Sequence, residues 1–156
     1  MSRAYGRASS NERLKCAALY QRGNKYSIMS AISSEKIVAS LYCEDSVDGN
    51  IFAHFIEQCV VPNLKPEHKL IMDNVPFHKI KAVEEMVTAT GVEIIYLPPY
   101  SPDFSPIELM WSKIKSVLKK HAAPTAEKFQ DSMHEAFHAV TSSDLQGWYR
   151  HCGYKI

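Results

Sequence analysis

Two carboxylates, Asp73 and Glu108, are the residues of this sequence whose type and placement could do chemistry. Asp73 directly follows the apolar run 70–72, and Glu108 follows the Pro-rich stretch 98–106. Carboxylates that converge can hold Mg²⁺, which takes one or two of them and completes its shell with water and phosphate oxygens. Two such ions about 4 Å apart activate a nucleophile and stabilise the leaving oxygen of a phosphodiester. The pair therefore predicts metal-dependent phosphodiester chemistry.

The residues after Glu108 narrow the substrate class. A carboxylate pair could also serve a glycosidase. The segment that follows Glu108 carries Lys113, Lys115, Lys119 and Lys120, and these cations favour an anionic polymer over a sugar. Lysines near the end of a helix also complement the helix dipole and form a solvated face, so no single lysine decides the matter. Lys113, Lys115 and Lys119 are the candidate DNA contacts.

Each carboxylate also has a purely structural interpretation. Asp73 could start a turn with Asn74 and Pro76. Glu108 lies three residues after Ser105, so the two fit a capping box in which Ser105 is the N-cap. A carboxylate turned back to the N–H of Ser105 would be less free to face a metal ion. The local pattern leaves both interpretations open.

The remaining candidates are weaker. His78 follows Asp73 by five positions and could contact the site or a phosphate, although a lone histidine near a helix start is more often a surface residue. Asn74 could support the site from the neighbouring position. His134 and His138 are four apart on a predicted helix and could share a metal ion, but a mixed helix surface explains them more simply.

Hydrophobic periodicity predicts an α/β chain with a hairpin first and helices towards the C-terminus. The predicted elements are a hairpin over 26–32 and 37–41, a helix from 48–50 to 62, a strand over 69–72, a helix over 80–87, a strand over 92–97, a helix after 106, a helix from 125 and a short helix over 148–152. Residues 1–24 have loop composition, with at most a short element over 14–20. A strand, a helix and a strand within about 30 residues predict a parallel crossover. That arrangement puts Asp73 at the carboxyl end of a strand, where open α/β sheets bind ligands.

Composition bounds the class of protein. A chain of 156 residues fits one domain, 1–156, and its net charge of +1 means that any DNA contact must come from a local patch. The four cysteines form no CxxC pair, which indicates free thiols in a reducing compartment. No apolar run approaches the roughly 20 residues of a membrane span, and the N-terminus has no signal-peptide pattern. We expect a cytoplasmic protein that makes no membrane contact, nucleoid-associated if bacterial.

Three motifs carry a resemblance to a known family. They are Asp73-Asn74 followed by His78, the run Leu97-Pro98-Pro99-Tyr100-Ser101-Pro102-Asp103, and Pro106-Ile107-Glu108. Together they closely resemble the DDE transposases of the mariner superfamily, in its bacterial insertion-sequence branch. The 34 residues between the two acids match the spacing of that group, and segments 3–8 and 148–154 look like its flanking segments. The resemblance therefore covers essentially the whole chain.

The resemblance implies a ribonuclease-H-like (integrase-type) fold. It also implies hydrolysis and strand transfer at transposon ends, dependent on Mg²⁺ or Mn²⁺, with DNA as the partner. Asp73 matches the second acid of the family's triad and Glu108 the third. Two small departures are Phe104 where leucine is usual and Ser105 where asparagine is usual.

A larger departure concerns the first acid. In the family this aspartate lies on the first strand of the sheet, upstream of the segment that resembles residues 3–8, and this chain begins just before that segment. The acids at positions 44, 45 and 48 lie beyond the second and third family strands, so they are not substitutes. The family's helix-turn-helix region is also upstream.

The resemblance further implies that the missing strand is central, between the equivalents of residues 26–32 and 69–73. Two strand edges would then lack partners in the core, which is costly because buried backbone groups need hydrogen bonds. We expect a DDE domain that is incomplete at its N-terminus and active only when an upstream transposase fragment or another transposase protomer supplies the strand. The alternative is a non-catalytic remnant, or a module that binds DNA or transposase.

Overall fold

The structure is a computed structural model that describes residues 26–44, 46–75, 79–120 and 126–156. Its elements in chain order are β1 (Tyr26–Ile32), β2 (Ile37–Glu44), α1 (Gly49–Phe55), β3 (Lys69–Met72), α2 (Lys81–Thr88), β4 (Glu93–Tyr96), α3 (Pro106–Lys120), α4 (Ala126–His138) and α5 (Ser142–His151). A π-helical turn, Ile56–Val60, and a 3₁₀ turn, Val61–Asn63, continue α1, and a second 3₁₀ turn, Pro102–Phe104, precedes α3. The element expected over 14–20 lies outside the described residues.

The β1–β2 hairpin is antiparallel, as predicted. Its register runs from Tyr26 opposite Glu44 to Ile32 opposite Ile37, with an irregularity next to Ile32. The connecting turn is closed by a hydrogen bond from the Ser33 N–H to the Lys36 carbonyl, 2.9 Å. The predicted hairpin is confirmed, and β2 extends three residues beyond its predicted end.

Helix α1 begins where Asp48 predicts. The Asp48 carboxylate accepts hydrogen bonds from the N–H groups of Asn50 and Ile51, both 2.9 Å, so it satisfies donors that have no partner within the helix. Phe52 and Phe55 lie on the buried side. The apolar stripe thus anchors this helix to the core.

Strands β3 and β4 are parallel, and α2 is the crossover between them. The register runs from Lys69 opposite Glu93 to Met72 opposite Tyr96. Gly91, at φ 81°, ends the α2 connection in a conformation that side chains with a Cβ avoid. The predicted crossover is confirmed, so β3 delivers the chain to position 73 at its carboxyl end.

The buried side chains form two apolar clusters. The first joins α1, its π-helical continuation and α2 to the strands, with Phe55, Val83 and Val87 almost fully buried. The second joins α3 and α4 to residues Ile32 and Ile37 of the hairpin. Burial of each large aliphatic side chain in these clusters contributes about 1.5–3 kcal/mol.

The strands form two separate pairs. Among the described residues, β1 pairs only with β2 and β3 pairs only with β4. Cys43, Cys59 and Cys152 are unpaired thiols. Within the described ranges, no helix is long and apolar enough to cross a membrane.

Helix α5 corrects the sequence prediction. We expected a short helix over 148–152, but α5 begins at Ser142, with Thr141 as its N-cap. Thr141 and Asp144 form a capping box: the Thr141 Oγ1 accepts from the Asp144 N–H, 3.2 Å, and the Thr141 N–H donates to Asp144 Oδ2, 2.8 Å. The pattern Thr-Ser-Ser-Asp was a start signal that the prediction overlooked.

Asp144 also joins α5 to α3. The Lys113 ammonium lies 2.5 Å from its Oδ2, and both side chains are about two-thirds covered or more, at 32% and 26% exposure. Hydrogen bonds from Lys113 and then from Thr141 lower the pKa of Asp144 to about 2. The contact therefore holds the last helix against the helix that carries Glu108.

We predict that Asp144→Asn lowers the free energy of unfolding near neutral pH by about 1–2 kcal/mol, after allowance for partial solvent screening. The folded pKa lies below the ordinary 3.8, so this stabilisation is present above pH 3.8 and is lost as the pH falls towards about 2. Urea unfolding of both proteins between pH 2 and 7 measures the effect. Asp131→Asn, at an exposed position of α4, is the control; a gap between wild type and Asp144→Asn that persists at pH 2 contradicts the prediction.

Candidate active site

Asp73 is positioned by the parallel pair. It follows Met72, which is buried and whose carbonyl accepts a hydrogen bond from the Leu97 N–H, 2.8 Å. Asp73 itself is exposed. The last β3 residue is therefore fixed by backbone pairing, and the next side chain projects from the carboxyl end of the strand.

Glu108 is positioned by the first turn of α3, and the expected capping box is not formed there. The Ser105 N–H donates to the Pro102 carbonyl, 2.9 Å, and the Glu108 N–H donates to the Ser105 carbonyl, 3.1 Å. Both are bonds between backbone groups. The 3₁₀ turn before α3 thus satisfies the Ser105 N–H, which in a capping box would donate to the Glu108 carboxylate. Within the described part of the chain, no hydrogen bond or ion pair engages the Glu108 carboxylate, so it is available for another role.

Both carboxylates line one cavity of about 430 Å³. Its walls include residues 28–32 of β1, β3 with Asp73 directly after it, and residues 105–108 around the start of α3. Asp73 and Glu108 are the acidic side chains of this lining. The structure thus brings together the two residues that the sequence singled out, which lie 35 positions apart.

The two carboxylates of this cavity supply some, but not all, of the ligands that a hard divalent cation needs. Carboxylate oxygens are the ligands that Mg²⁺ and Mn²⁺ prefer, and one or two of them suffice when water and phosphate oxygens complete the shell. Among the residues that the structure describes, no group of three or more His, Cys, Asp or Glu side chains could hold a metal ion. Asp73 and Glu108 could therefore hold a metal only with ligands from elsewhere.

The structure places the other candidate residues in different environments. Asn74 is partly buried beside Asp73 but does not line the cavity, and His78 lies outside the described residues. Lys113 is engaged with Asp144. Lys115 and Lys119 are exposed on α3. The three lysines are thus not equivalent.

The His134–His138 pair forms one turn of α4. The two Nε2 atoms are 3.0 Å apart and the rings meet edge to face, with centroids 4.2 Å apart. Both residues are exposed, and no further His, Cys, Asp or Glu joins them into a metal-binding group in the described ranges. The geometry is that of two neighbouring histidines on a helix surface.

Two C-terminal tyrosines support the site, and residue-by-residue reasoning missed them. The Tyr149 hydroxyl donates to the Ile32 carbonyl at the end of β1, 3.0 Å, and burial raises the pKa of Tyr149 to about 12, so it stays a donor. The Tyr154 hydroxyl donates to the Phe104 carbonyl, 2.7 Å, in the turn before Glu108. The signal was the aromatic segment 148–154, which we interpreted as a short helix and as a flanking segment of the family, without a role for its tyrosines.

Tyr100 is a further residue that sequence reasoning passed over. It is fully exposed in the Pro-rich loop and has φ 56°, a left-handed conformation uncommon for residues other than glycine. The loop therefore presents an aromatic ring to solvent. Such rings are the platforms on which nucleic-acid bases stack.

Comparison with known proteins identifies the family. A family model described as DDE superfamily endonuclease matches residues 1–130. Among curated protein sequences, no significant match is found.

Several solved structures of Mos1 transposase match this fold. The Mos1 strand transfer complex matches with a TM-score of 0.75 at 16% identity, covering 97% of this chain and 47% of that one. The Mos1 catalytic domain with raltegravir and Mg matches with a TM-score of 0.62 at 15% identity, covering 80% of this chain and 67% of that one. The same domain with raltegravir and Mn matches with a TM-score of 0.65 at 15% identity, covering 83% of this chain and 73% of that one.

These matches confirm the predicted α/β, ribonuclease-H-like fold class. The chain spans about half the length of the full Mos1 chain that it matches. At these identities the likeness to Mos1 shows the fold alone. The family model covers most of the sequence, and on that evidence the protein belongs to the DDE superfamily endonuclease family.

Proposed function

We propose that residues 1–156 are the C-terminal part of the catalytic domain of a mariner-superfamily DDE transposase, from the bacterial insertion-sequence branch. The reaction is metal-dependent cleavage and transfer of DNA strands at transposon ends. Asp73 and Glu108 are two of its three acids, and the first acid comes from an upstream transposase fragment or another transposase protomer. The protein acts in the cytoplasm, at the nucleoid.

One observation carries this proposal: Asp73 and Glu108 line the same cavity, although a strand end supplies one and a helix start the other. Among the described residues of this lining, Asp73 and Glu108 are the acidic side chains. The capping role that competed for Glu108 is also absent, since the backbone of the 3₁₀ turn satisfies the Ser105 N–H. The likeness to Mos1, solved with Mg and with Mn, supports the choice of Mg²⁺ or Mn²⁺.

The chemistry divides between the metal and the chain. Asp73 and Glu108 would hold Mg²⁺ or Mn²⁺, which would supply Lewis-acid chemistry at the scissile phosphate and at the attacking water. The backbone of Asp73 directly follows β3 and that of Glu108 lies in the first turn of α3, so both carboxylates start from well-defined backbone positions. Glu108 lies in the first turn of a 15-residue helix, where unpaired N–H groups favour anions, phosphate among them.

DNA is the partner that the surface of α3 favours. Lys115 and Lys119 are four positions apart and exposed, so they lie on one face of the helix. Mos1 structures include a strand transfer complex and a pre-cleavage transpososome. We infer that this face of α3 contacts the phosphate backbone of transposon ends, while Lys113 is held by Asp144.

We predict that the purified chain shows no metal-dependent cleavage of transposon-end DNA by itself, and that addition of the upstream transposase fragment restores it. In the restored mixture, Asp73→Asn or Glu108→Gln lowers the cleavage rate by about a hundredfold or more, because each removes a metal-ligand charge worth several kcal/mol. Cleavage of end-labelled DNA with Mg²⁺ and with Mn²⁺ measures the rate.

Glu93→Gln is the matched control, since Glu93 lies on β4, does not line the cavity and forms an ion pair with Lys69. It should leave the restored rate within about twofold. Robust cleavage by the chain alone that disappears in Glu108→Gln would overturn the claim of an incomplete site. Lasting inactivity after addition of the upstream fragment would favour the non-catalytic remnant or a DNA- or transposase-binding module.

We predict that replacing Lys115 and Lys119 together by glutamine weakens binding to a random-sequence DNA duplex. The slope of log K against log salt should become shallower by about 1–2, because each lost phosphate contact removes about 0.9 from it. Fluorescence anisotropy over a salt series measures both quantities. The double replacement of Lys65 and Lys81, exposed lysines outside α3, is the control; an equal loss in the control would contradict a specific role for α3.

A further inference from the structure

The His134–His138 pair of α4 lies outside the cavity that Asp73 and Glu108 line. Both imidazoles are exposed, and positions four apart lie on one face of a helix. Their Nε2 atoms are 3.0 Å apart, and the rings meet edge to face. Two nitrogen atoms are thus held close together at the protein surface, apart from the two carboxylates of the proposed site.

The hydrogen bond between the two rings constrains their protons. It needs an N–H on one Nε2 atom and a lone pair on the other, so at most one ring is charged while the bond lasts. When both rings are neutral, the donor ring can move its proton from Nε2 to Nδ1. Both Nε2 lone pairs are then available to a metal ion, and no proton is released to solvent.

The separation of the two nitrogen atoms matches that of two ligands on one metal ion. Imidazole nitrogen binds Zn²⁺ at about 2.0–2.1 Å, and ions of similar size bind it at a similar distance. For that bond length, nitrogens 3.0 Å apart set the N–metal–N angle at roughly 90–100°. Neighbouring ligands of a square-planar or octahedral ion are about 90° apart, whereas tetrahedral Zn²⁺ would need the nitrogens about 3.4 Å apart. The pair therefore fits Cu²⁺ or Ni²⁺ better than Zn²⁺.

The ligand type selects metals other than Mg²⁺ and Mn²⁺. Imidazole nitrogen suits Cu²⁺, Ni²⁺ and Zn²⁺, whereas carboxylate and water oxygens suit Mg²⁺ and Mn²⁺. In the ranges that the structure describes, no third His, Cys, Asp or Glu completes a metal-binding group. Water would therefore fill the remaining positions around the ion. Two protein ligands define a surface site that exchanges its ion with solvent.

Helix α4 connects the histidine pair to the packing of α3. Ala136 lies between the two histidines in the sequence, is fully buried and belongs to the same apolar cluster as Met110 and Ile114 of α3. An ion held by both histidines would fix one turn of α4 in its helical conformation. Because the unfolded chain does not hold the two rings at this separation, the ion binds the folded state preferentially and stabilises it.

We propose that His134 and His138 form a bidentate surface site for one divalent transition-metal ion that prefers imidazole, Cu²⁺ or Ni²⁺ before Zn²⁺. This site is separate from the carboxylates that would hold Mg²⁺ or Mn²⁺, and its occupation stabilises the packing of α4 on α3. The inference is independent of the proposed function, since it uses neither the carboxylates nor DNA.

The test adds Ni²⁺ to the full chain in a buffer free of chelators, with a phosphine as the reductant in place of thiols. Equilibrium dialysis should show one tightly bound ion per chain. Binding should raise the thermal midpoint by about 3–6 °C at a Ni²⁺ concentration of about ten times Kd. Zn²⁺ should bind more weakly than Ni²⁺, because the separation of the nitrogen atoms must widen for a tetrahedral ion. Tighter binding of Zn²⁺ than of Ni²⁺, or no binding of Ni²⁺, overturns the proposal.

Single and double replacements of the histidines test whether both rings hold the same ion. Either His134→Gln or His138→Gln should weaken Ni²⁺ binding about tenfold or more, because one remaining imidazole cannot chelate. The double variant should lose little more of the thermal shift than either single variant, since both changes remove one shared site. Losses that simply add, or two ions bound per chain, overturn the proposal because they indicate two independent histidines.

His54→Gln is the matched control. His54 is an exposed histidine on α1, and the residues four positions before and after it are Asn50 and Gln58. This change should leave Ni²⁺ binding within about twofold, because a distant site is independent of the pair. An equal loss in the control overturns the proposal. Binding that survives in the double variant also overturns it, since the ion is then held elsewhere, at the thiols of Cys43, Cys59 or Cys152 or at the carboxylates.

A spectroscopic measurement on the unaltered chain keeps the test decisive even if a variant does not fold. With one Cu²⁺ per chain, the electron paramagnetic resonance spectrum should show hyperfine coupling to two imidazole nitrogens, as two histidine ligands require. Coupling to a single nitrogen, or to none, overturns the proposal.

Discussion

Backbone pairing at the strand edges is the constraint on which this structure depends. A strand has two edges, and each carries donors and acceptors that need partners within a core. β1 uses one edge for β2, and β3 uses one edge for β4. Residues 28–32 of β1 and 69–72 of β3 line the same cavity, together with side chains of both apolar clusters. The described core is thus organised around these two strand pairs and the helices packed on them.

The carboxylates follow from that organisation. Asp73 leaves the carboxyl end of β3, and Glu108 lies in the first turn of α3, which the Pro102–Phe104 turn and the hydroxyl of Tyr154 hold in place. Both side chains therefore line the same cavity although they lie 35 positions apart in the sequence. A site built in this way depends on the packing of distant elements.

Local signals predicted much of the fold. Asp48 marked the start of α1, Gly91 marked the end of the α2 connection, and a strand–helix–strand pattern marked the parallel crossover. These succeeded because caps, positive φ and apolar periodicity act over a few residues. The start of α5 was missed although the Thr141–Asp144 capping box has the same kind of signal, and the box expected at Ser105 does not form because a preceding 3₁₀ turn satisfies its N–H.

The sequence by itself determined the family motifs, the two acids and the order of the elements, since residue type and spacing are enough for each. Only the tertiary structure decided that Lys113 pairs with Asp144 while Lys115 and Lys119 stay exposed. It also decided that residues of β1, β3 and the start of α3 line one cavity. The physical reason is that these contacts join elements far apart in the chain, where geometry depends on how whole layers pack and no local pattern records it.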